Sequence, residues 1–399
     1  MIASISLILI LGLLAGELCR RIGLPRIIGM LLTGVLIGPC ALNLLDAQTL
    51  AASAELRRMA LVIILLRAGL TLDLSDLRRV GRPAVLMAFL PALFEIGACV
   101  LLAPAIFGVS SAEAAVLGAV LGAVSPAVVV PRMVRLIEQR RGTAQGVPQL
   151  ILAGASLDDV FVIVLFSTFT GIAQGGSASL GALAGIPVSI LLGILVGAVT
   201  GLGLAWFFEV RHTHGHTIRN SMKVIIVLGT AFLLIALEDW LEDTVPLSGL
   251  LAVTAMACAL HMKSAPSVSA RLSQKFGKLW LAAEVILFVL VGAAVDIRYT
   301  LEAGPAAILM IFLALAIRSA GVVLCLLGTG LLPKERLFCV ISYLPKATVQ
   351  AAIGSVPLAL GLPCGKLVLS VAVLAILITA PLGALGMDAT CEKLLEKEP

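Results

Sequence analysis

The sequence predicts an all-α polytopic membrane protein with about 13 transmembrane helices, built as two inverted six-helix repeats joined by a linker helix, with discontinuous crossing helices. The first observation is composition: 60% of the residues are hydrophobic and 13% are charged. A soluble domain carries about 25% charged residues, so this chain cannot cover a water-facing surface of its own size. The second observation is the number of bilayer-length apolar runs, and the third is a pair of interrupted runs.

Thirteen apolar runs approach the length of a bilayer span. They cover about 2–19, 28–45, 57–72, 84–107, 114–135, 149–171, 184–208, 222–239, 247–262, 280–297, 305–328, 337–360 and 365–386. Loops after odd-numbered runs are rich in Lys and Arg, whereas loops after even-numbered runs are acidic or neutral; Arg57, Arg58 and Lys366 are exceptions. The positive-inside rule therefore predicts an outside N-terminus and a cytoplasmic C-terminus. The net charge of +5 includes no long basic run, which predicts no nucleic-acid partner.

Two runs at matching positions of the two halves are interrupted. The fifth contains prolines 126 and 131, and the twelfth contains Pro345 followed by Lys346. The two interrupted runs are seven runs apart. Because seven is an odd number, equivalent runs of the two halves cross the membrane in opposite directions. Such inverted repeats are a transporter architecture. Irregular backbone at membrane depth is tolerated where it lines a cavity or is buried in protein. The alternative is a pair of ordinary proline kinks. The residues predicted to line a site at the breaks are Ser125, Pro126, Val128, Val129, Pro345, Lys346 and Thr348.

Two adjacent aspartates, Asp158 and Asp159, lie in the middle of the sixth run. A carboxylate at the centre of a membrane helix costs roughly 2.5–3.5 kcal/mol on insertion scales. Neighbouring side chains on a helix point about 100° apart, so one can meet an ion while the other meets a basic partner. With Ser156 and backbone carbonyls of the fifth run they predict an oxygen site for Na⁺ or Li⁺ that alternates with a proton. The alternative is a buried structural ion pair.

Few charged residues can partner these aspartates at membrane depth, where charges are usually paired. Glu95 and Arg318 lie in mid-run, and we expect them to pair, with Lys346 offsetting the dipoles of the broken helices. Pairing of Arg318 with Asp158 is the open alternative. Arg67 in the third run is either a core charge partner or a side chain that reaches the membrane interface. Three histidines in one loop either bind a metal, sense pH or are simply solvated: His212, His214 and His216.

Several stretches resemble the NHA-type sodium/proton exchangers of the cation/proton antiporter superfamily. They are residues 67–70, 122–131, 146–148 leading to 156–159, and 344–354. The resemblance implies a homodimer of 13-span protomers with an elevator mechanism and with Asp159 as the principal ion ligand. It implies a dimerisation panel of 1–72 and 222–298, an ion-transporting core of 84–171 and 305–388, and a linker helix of 184–208. Where several relatives carry a lysine in the eleventh span, this chain has Arg318, which leaves electrogenic and electroneutral exchange both open.

The sequence therefore predicts a secondary active antiporter that exchanges Na⁺ (or Li⁺) for H⁺, with monovalent cations and protons as its partners. We expect no enzymatic activity and no cofactor. The resemblance implies extra sequence before the first shared span in eukaryotic relatives, and on this ground we expect a bacterial inner-membrane protein. Two other functions stay open: a Na⁺-coupled symporter of an organic solute with the same fold, and a K⁺/H⁺ antiporter. An intramembrane aspartyl protease is disfavoured, because such a protease needs aspartates on two separate helices, whereas Asp158 and Asp159 are neighbours in one run.

Overall fold

A computed structural model describes residues 1–70, 81–174, 180–213, 219–241 and 247–397. Eighteen helices occupy these ranges. They are α1 Ile2–Arg21, α2 Arg26–Ile37, α3 Ala47–Ala51, α4 Ser53–Gly69, α5 Arg82–Met87, α6 Leu90–Phe107, α7 Ser111–Gly122, α8 Pro126–Glu138, α9 Val147–Ala173, α10 Leu180–Thr213, α11 Asn220–Leu241, α12 Gly249–Lys263, α13 Pro266–Ala293, α14 Ile297–Cys325, α15 Pro333–Ser342, α16 Thr348–Ile353, α17 Val356–Ala359 and α18 Gly365–Leu394.

The described part of the chain contains nine helical segments that are long and apolar enough to cross a membrane. They are Ile2–Arg21, Arg82–Phe107, Ser111–Glu138, Val147–Ala173, Leu191–Glu209, Asn220–Leu241, Val268–Ala293, Ile297–Cys325 and Gly365–Leu394. Three shorter apolar helical segments accompany them, at Arg26–Ile37, Gly249–Lys263 and Thr348–Ala359. The predicted class, an all-helical multi-pass membrane protein, is confirmed. The count of 13 spans and the inverted repeat stay predictions.

The chain divides into two compact units. The first comprises Met1–Ala54, Leu74–Gln174 and Val285–Pro399, and the second comprises Glu55–Asp73 and Gly175–Glu284. Both interrupted runs and both adjacent aspartates belong to the first unit.

Helices α7 and α8 form the first broken span. A capping box starts α7, since Glu113 N donates to Ser110 Oγ over 3.3 Å and Ser110 N donates to Glu113 Oε2 over 2.9 Å. The helix ends at Gly122, and the extended residues that follow lead to α8, which begins at Pro126. A proline suits the first helical position because its missing N–H has no partner there in any case.

The second broken span runs from α15 to α16, with residues 343–347 outside regular helix. The backbone N–H of Ser125 donates to the Pro345 carbonyl over 2.8 Å, so the two breaks meet through their main chains. This contact satisfies a buried donor that neither helix can satisfy. The two breaks therefore form one crossing inside the first unit.

Glycines let α6 approach its neighbours closely. A Cβ added at Gly118 of α7 would lie 2.8 Å from Ile96 Cα, and one added at Gly321 of α14 would lie 3.1 Å from Pro91 Cα. Small residues at helix contacts are typical of membrane proteins because they allow the backbones to approach. The close approach of α6 to α14 sets Glu95 beside Arg318.

Candidate ion-binding site

Five charged side chains are almost fully buried around the crossing. Their exposed fractions are 1% for Glu95, 0% for Asp158, 6% for Asp159, 1% for Arg318 and 1% for Lys346. Buried charges are costly unless they are paired and hydrogen-bonded. The pairing of these five groups therefore determines what the site can bind.

Arg318 connects the crossing to both acidic neighbours. Its Nη1 donates to Glu95 Oε2 over 2.8 Å, and its Nη2 donates to Asp158 Oδ2 over 3.1 Å. Its Nε donates to the Tyr343 carbonyl over 3.0 Å, and Nη1 also donates to the Gly122 carbonyl. The two pairings that the sequence left as alternatives therefore occur together, because a guanidinium offers five donors in a fixed fork.

Lys346 and Gln350 cover the carbonyl end of α7. Lys346 Nζ donates to the Leu121 carbonyl and to Glu95 Oε2, each over 2.6 Å. Gln350 Nε2 donates to the Ala123 carbonyl over 2.8 Å, and its Oε1 accepts from Ala347 N over 2.8 Å. The last carbonyls of a helix lack partners within it and carry partial negative charge. The side chains from the second break thus stabilise the end of the first broken helix.

Asp158 and Asp159 have different surroundings although they are adjacent. Asp158 Oδ2 accepts from Val124 N over 2.7 Å and from Arg318 Nη2 over 3.1 Å. Asp159 Oδ1 is buried and has no hydrogen-bond partner among the described residues. A buried carboxylate without partners is unfavourable in its charged form. Asp159 is therefore suited to hold a bound cation or a proton, while Asp158 belongs to the fixed network.

Further oxygen atoms around the breaks lack partners within the described part of the chain. They are Asp158 Oδ1, the Ser125 and Thr348 hydroxyls, and the Tyr343 hydroxyl. Carboxylate, hydroxyl and backbone carbonyl oxygens are the ligands that hard cations take. The chemistry of these atoms fits a small monovalent cation.

The other predicted residues are placed as follows. Val128 and Val129 are buried in the first turn of α8, Pro126 is half-buried at its start, and Pro345 is buried in the second break. Arg67 lies near the end of α4, in the second unit, and its side chain is exposed. Four side chains lie outside the described ones: Ser156, His212, His214 and His216.

Three residues of the network were not singled out from the sequence. Gln350 lies in α16, which begins just after the second break, and a polar amide in an apolar run is the signal that indicates it. Tyr343 stacks under Arg318, with 5.5 Å between the guanidinium carbon and the ring centroid. Thr379 Oγ1 accepts from Lys346 N over 2.8 Å. A threonine carries no signal of this kind, because it often bonds to its own helix.

The chain is similar to known proteins over almost its whole length. The family model described as "Sodium/hydrogen exchanger, transmembrane" matches residues 5–393. Sodium/hydrogen exchanger 9B2 of Homo sapiens is 35% identical over 385 residues, which cover 94% of this chain and 70% of that protein. Sodium/hydrogen exchanger 9B1 of Homo sapiens is 33% identical over 391 residues, covering 94% and 73%.

A solved structure has the same fold. The sodium proton antiporter MjNhaP1 from Methanocaldococcus jannaschii, determined at pH 8, superposes with a TM-score of 0.84 at 22% identity, covering 98% of each chain. A second structure of MjNhaP1, from electron microscopy, gives a TM-score of 0.74 at 24% identity. At these identities the likeness concerns the fold.

Proposed function

The chain belongs to the sodium/hydrogen exchanger family, and from this premise we propose that it is a secondary active antiporter that exchanges Na⁺ (or Li⁺) for H⁺ across a membrane. The observation that carries this proposal is the buried, unpartnered oxygen of Asp159 beside Asp158, whose Oδ2 is held by the Val124 amide and by Arg318. A carboxylate in that position accepts one monovalent cation or one proton, and the two compete for it.

The remaining charges hold the site in place. Asp158 is held by the Val124 amide and by Arg318, and Glu95 is shared by Arg318 and Lys346. Arg318 cannot release a proton under working conditions, so it keeps its charge and acts as a fixed partner. Asp159 is then the group at which cation and proton alternate, and hydroxyl and carbonyl oxygens at the breaks complete the cation's shell.

For alternating access we propose an elevator mechanism in a homodimer. Residues 84–171 and 305–388 form the moving core, 1–72 and 222–298 form the dimerisation panel, and 184–208 forms the linker. In support, the predicted core falls entirely within the first compact unit, which also includes residues 1–54 and 285–298 of the predicted panel. Native mass spectrometry in detergent tests the homodimer by its mass. Hydrogen exchange with and without Na⁺ tests whether both broken spans change protection together.

Proteoliposomes that report internal pH by a dye test the exchange itself. An imposed proton gradient is dissipated when Na⁺, Li⁺ or K⁺ is added to an antiporter that accepts that ion. We expect a response to Na⁺ and Li⁺, and loss of the response in Asp159→Asn. A response to K⁺ alone would make the protein a K⁺/H⁺ antiporter, and no response to any of the three ions would favour a solute symporter.

A matched variant separates the site from a general loss of charge. Glu302 is an exposed carboxylate near the start of α14, without an ion pair in the described part of the chain. Glu302→Gln should exchange ions as the wild type does. Exchange by Asp159→Asn at the wild-type rate would show that the proposed role of Asp159 is wrong.

A further inference from the structure

Tyr343 directly follows α15 and is one of the largest fully buried side chains, with 1% of its surface exposed. Its hydroxyl has no hydrogen-bond partner among the described residues. The hydroxyl of a buried tyrosine usually has a partner, and burial without one is unfavourable. Phenylalanine would fill the same space without this cost, so packing alone does not account for the hydroxyl.

The Tyr343 hydroxyl lies against α9 at Gly154. A Cβ added at Gly154 would clash with this oxygen, whereas it would lie 3.4 Å from the ring carbon Cζ. Gly154 precedes Asp158 by four residues, so the two share one face of the helix, while Asp159 points about 100° away. Side chains on a helix lean toward its N-terminus. The Asp158 carboxylate therefore leans toward the turn on which the Tyr343 hydroxyl rests.

Arg318 connects the same two residues. Its guanidinium carbon lies 5.5 Å from the centroid of the Tyr343 ring, its Nε donates to the Tyr343 carbonyl over 3.0 Å, and its Nη2 donates to Asp158 Oδ2 over 3.1 Å. Asp158 is close enough for its charge to act on the Tyr343 phenol. Asp158 Oδ1 is buried and, within the described part of the chain, also has no partner. A hydroxyl that can donate and a carboxylate oxygen that can accept thus lie near each other.

We propose that the Tyr343 hydroxyl donates to Asp158 Oδ1 through one ordered water, and so fixes the orientation of this carboxylate beside Asp159. Buried waters typically satisfy polar groups of this kind, and they commonly bridge groups that are too far apart for a direct hydrogen bond. Tyr343 is then a positioning residue, which acts on the cation through Asp158. This inference rests on the exchange proposed above and concerns the affinity of that site for its cation.

Tyr343→Phe tests the role of the hydroxyl, because it keeps the ring that packs on Arg318. In the proteoliposome assay we expect the Na⁺ concentration for half-maximal exchange to rise about fivefold to tenfold, near the lower limit of what residues that orient metal ligands contribute. The maximal rate should stay near the wild-type value. The sequence contains two tyrosines, so Tyr299→Phe is the matched control. Tyr299 lies in the first turn of α14, and this variant should exchange ions as the wild type does.

A spectroscopic signal reports on the same hydroxyl without transport. Replacement of both tyrosines by 3-fluorotyrosine gives two ¹⁹F resonances, which Tyr343→Phe and Tyr299→Phe assign. We expect Na⁺, but not choline at equal ionic strength, to shift the Tyr343 resonance and to leave the Tyr299 resonance in place. Asp159→Asn should abolish the shift, because the cation no longer binds beside Asp158.

The sign of a stability change gives a third readout, which needs no transported ion. Removing a hydroxyl that has no partner should raise the melting temperature, whereas removing one that is hydrogen-bonded to a charged group should lower it. We expect Tyr343→Phe to lower the melting temperature. In the Asp158→Ala background, which lacks the acceptor, Tyr343→Phe should no longer lower it, since two groups that interact have non-additive effects.

Two results would overturn the inference. One is a higher melting temperature for Tyr343→Phe than for the wild type. The other is a wild-type half-maximal Na⁺ concentration in Tyr343→Phe together with a Tyr343 resonance that does not respond to Na⁺. Failure of the proposed function is distinguishable from both, because the wild type itself would then exchange no cation, and the melting temperatures would still test the hydrogen bond.

Discussion

Lys346 and Glu95 form an ion pair from which water is excluded: Nζ lies 2.6 Å from Oε2, and each side chain is 1% exposed. The same Glu95 oxygen also accepts from Arg318 over 2.8 Å. The Glu95 carboxylate thus partly neutralises two cations, Arg318 on α14 and Lys346 in the second break. With Asp158, which pairs with Arg318, these groups form one network of four buried charges that depend on one another, and this dependence can be measured.

Removal of Glu95 should destabilise the protein more than removal of Lys346. Glu95→Gln leaves Arg318 and Lys346 facing each other, and breaking a buried pair costs about 3–5 kcal/mol. Lys346→Met leaves Glu95 paired with Arg318 and should cost less. The double variant should be more stable than the sum of the single effects predicts, measured by thermal and detergent-induced unfolding. Additive effects would show that the pair does not couple.

Swapping the charges of Glu95 and Arg318 should not restore the stability that each single substitution removes. In the variant Glu95→Arg/Arg318→Glu, the new glutamate would face Asp158, whose Oδ2 lies 3.1 Å from Arg318 Nη2 in the wild type. Like charges buried together are unfavourable. Melting temperatures of the swap and of both single variants test this, with recovery to the wild-type value as the contradicting outcome.

The two aspartates should respond oppositely to truncation. Asp158→Ala leaves Val124 N–H and Arg318 Nη2 without an acceptor, which should cost about 3–5 kcal/mol. Asp159→Ala removes an oxygen without a partner in the described chain, so in Na⁺-free alkaline buffer it should be neutral or stabilising. Adding Na⁺ should raise the melting temperature of the wild type and leave that of Asp159→Ala unchanged. Equal destabilisation by both variants would count against the division of roles.

Charge balance predicts electroneutral exchange. The buried groups are three carboxylates and two cations, which leave one negative charge when all are ionised. One Na⁺ or one proton cancels that charge, and Arg318 and Lys346 stay in their ion pairs. We expect the Na⁺-driven proton flux to be the same with and without a K⁺ diffusion potential set by valinomycin. A flux that changes with the potential would mean that a further group, with Lys346 as the first candidate, gains or loses a proton.

Outside the spans, Asp296 should make stability depend on pH. Its pKa is lowered chiefly because its carboxylate accepts a backbone hydrogen bond from Tyr299, with a smaller contribution from Lys366. A lowered pKa stabilises the fold above the ordinary aspartate value of about 3.9, and this contribution is lost as the pH falls through the lowered pKa. Asp296→Asn should therefore lower the melting temperature at neutral pH and have little effect in strong acid. An equal difference at both pH values would contradict this.

Features that depend on local chemistry were predictable from the order of the residues. Prolines 126 and 345 interrupt apolar runs because their rings remove backbone donors and restrict the preceding residue. Asp158 and Asp159 were identifiable because carboxylates in an apolar run are energetically costly, and residues of this kind usually have a function. Helical class and membrane location followed in the same way from composition and run length.

How these residues combine depends on the way the helices pack together. The Arg318 fork reaches Glu95 and Asp158 at the same time, and Gln350 covers carbonyls of α7, because the rotation of each helix about its axis selects which side chains face the crossing. That rotation also gives Asp158 Oδ2 its two donors and leaves Oδ1 of each aspartate without one among the described residues. The rotation of each helix results from packing between helices that are distant in sequence, such as the close contacts of α6 with Gly118 of α7 and Gly321 of α14. It therefore cannot be derived from the spacing of residues along the chain.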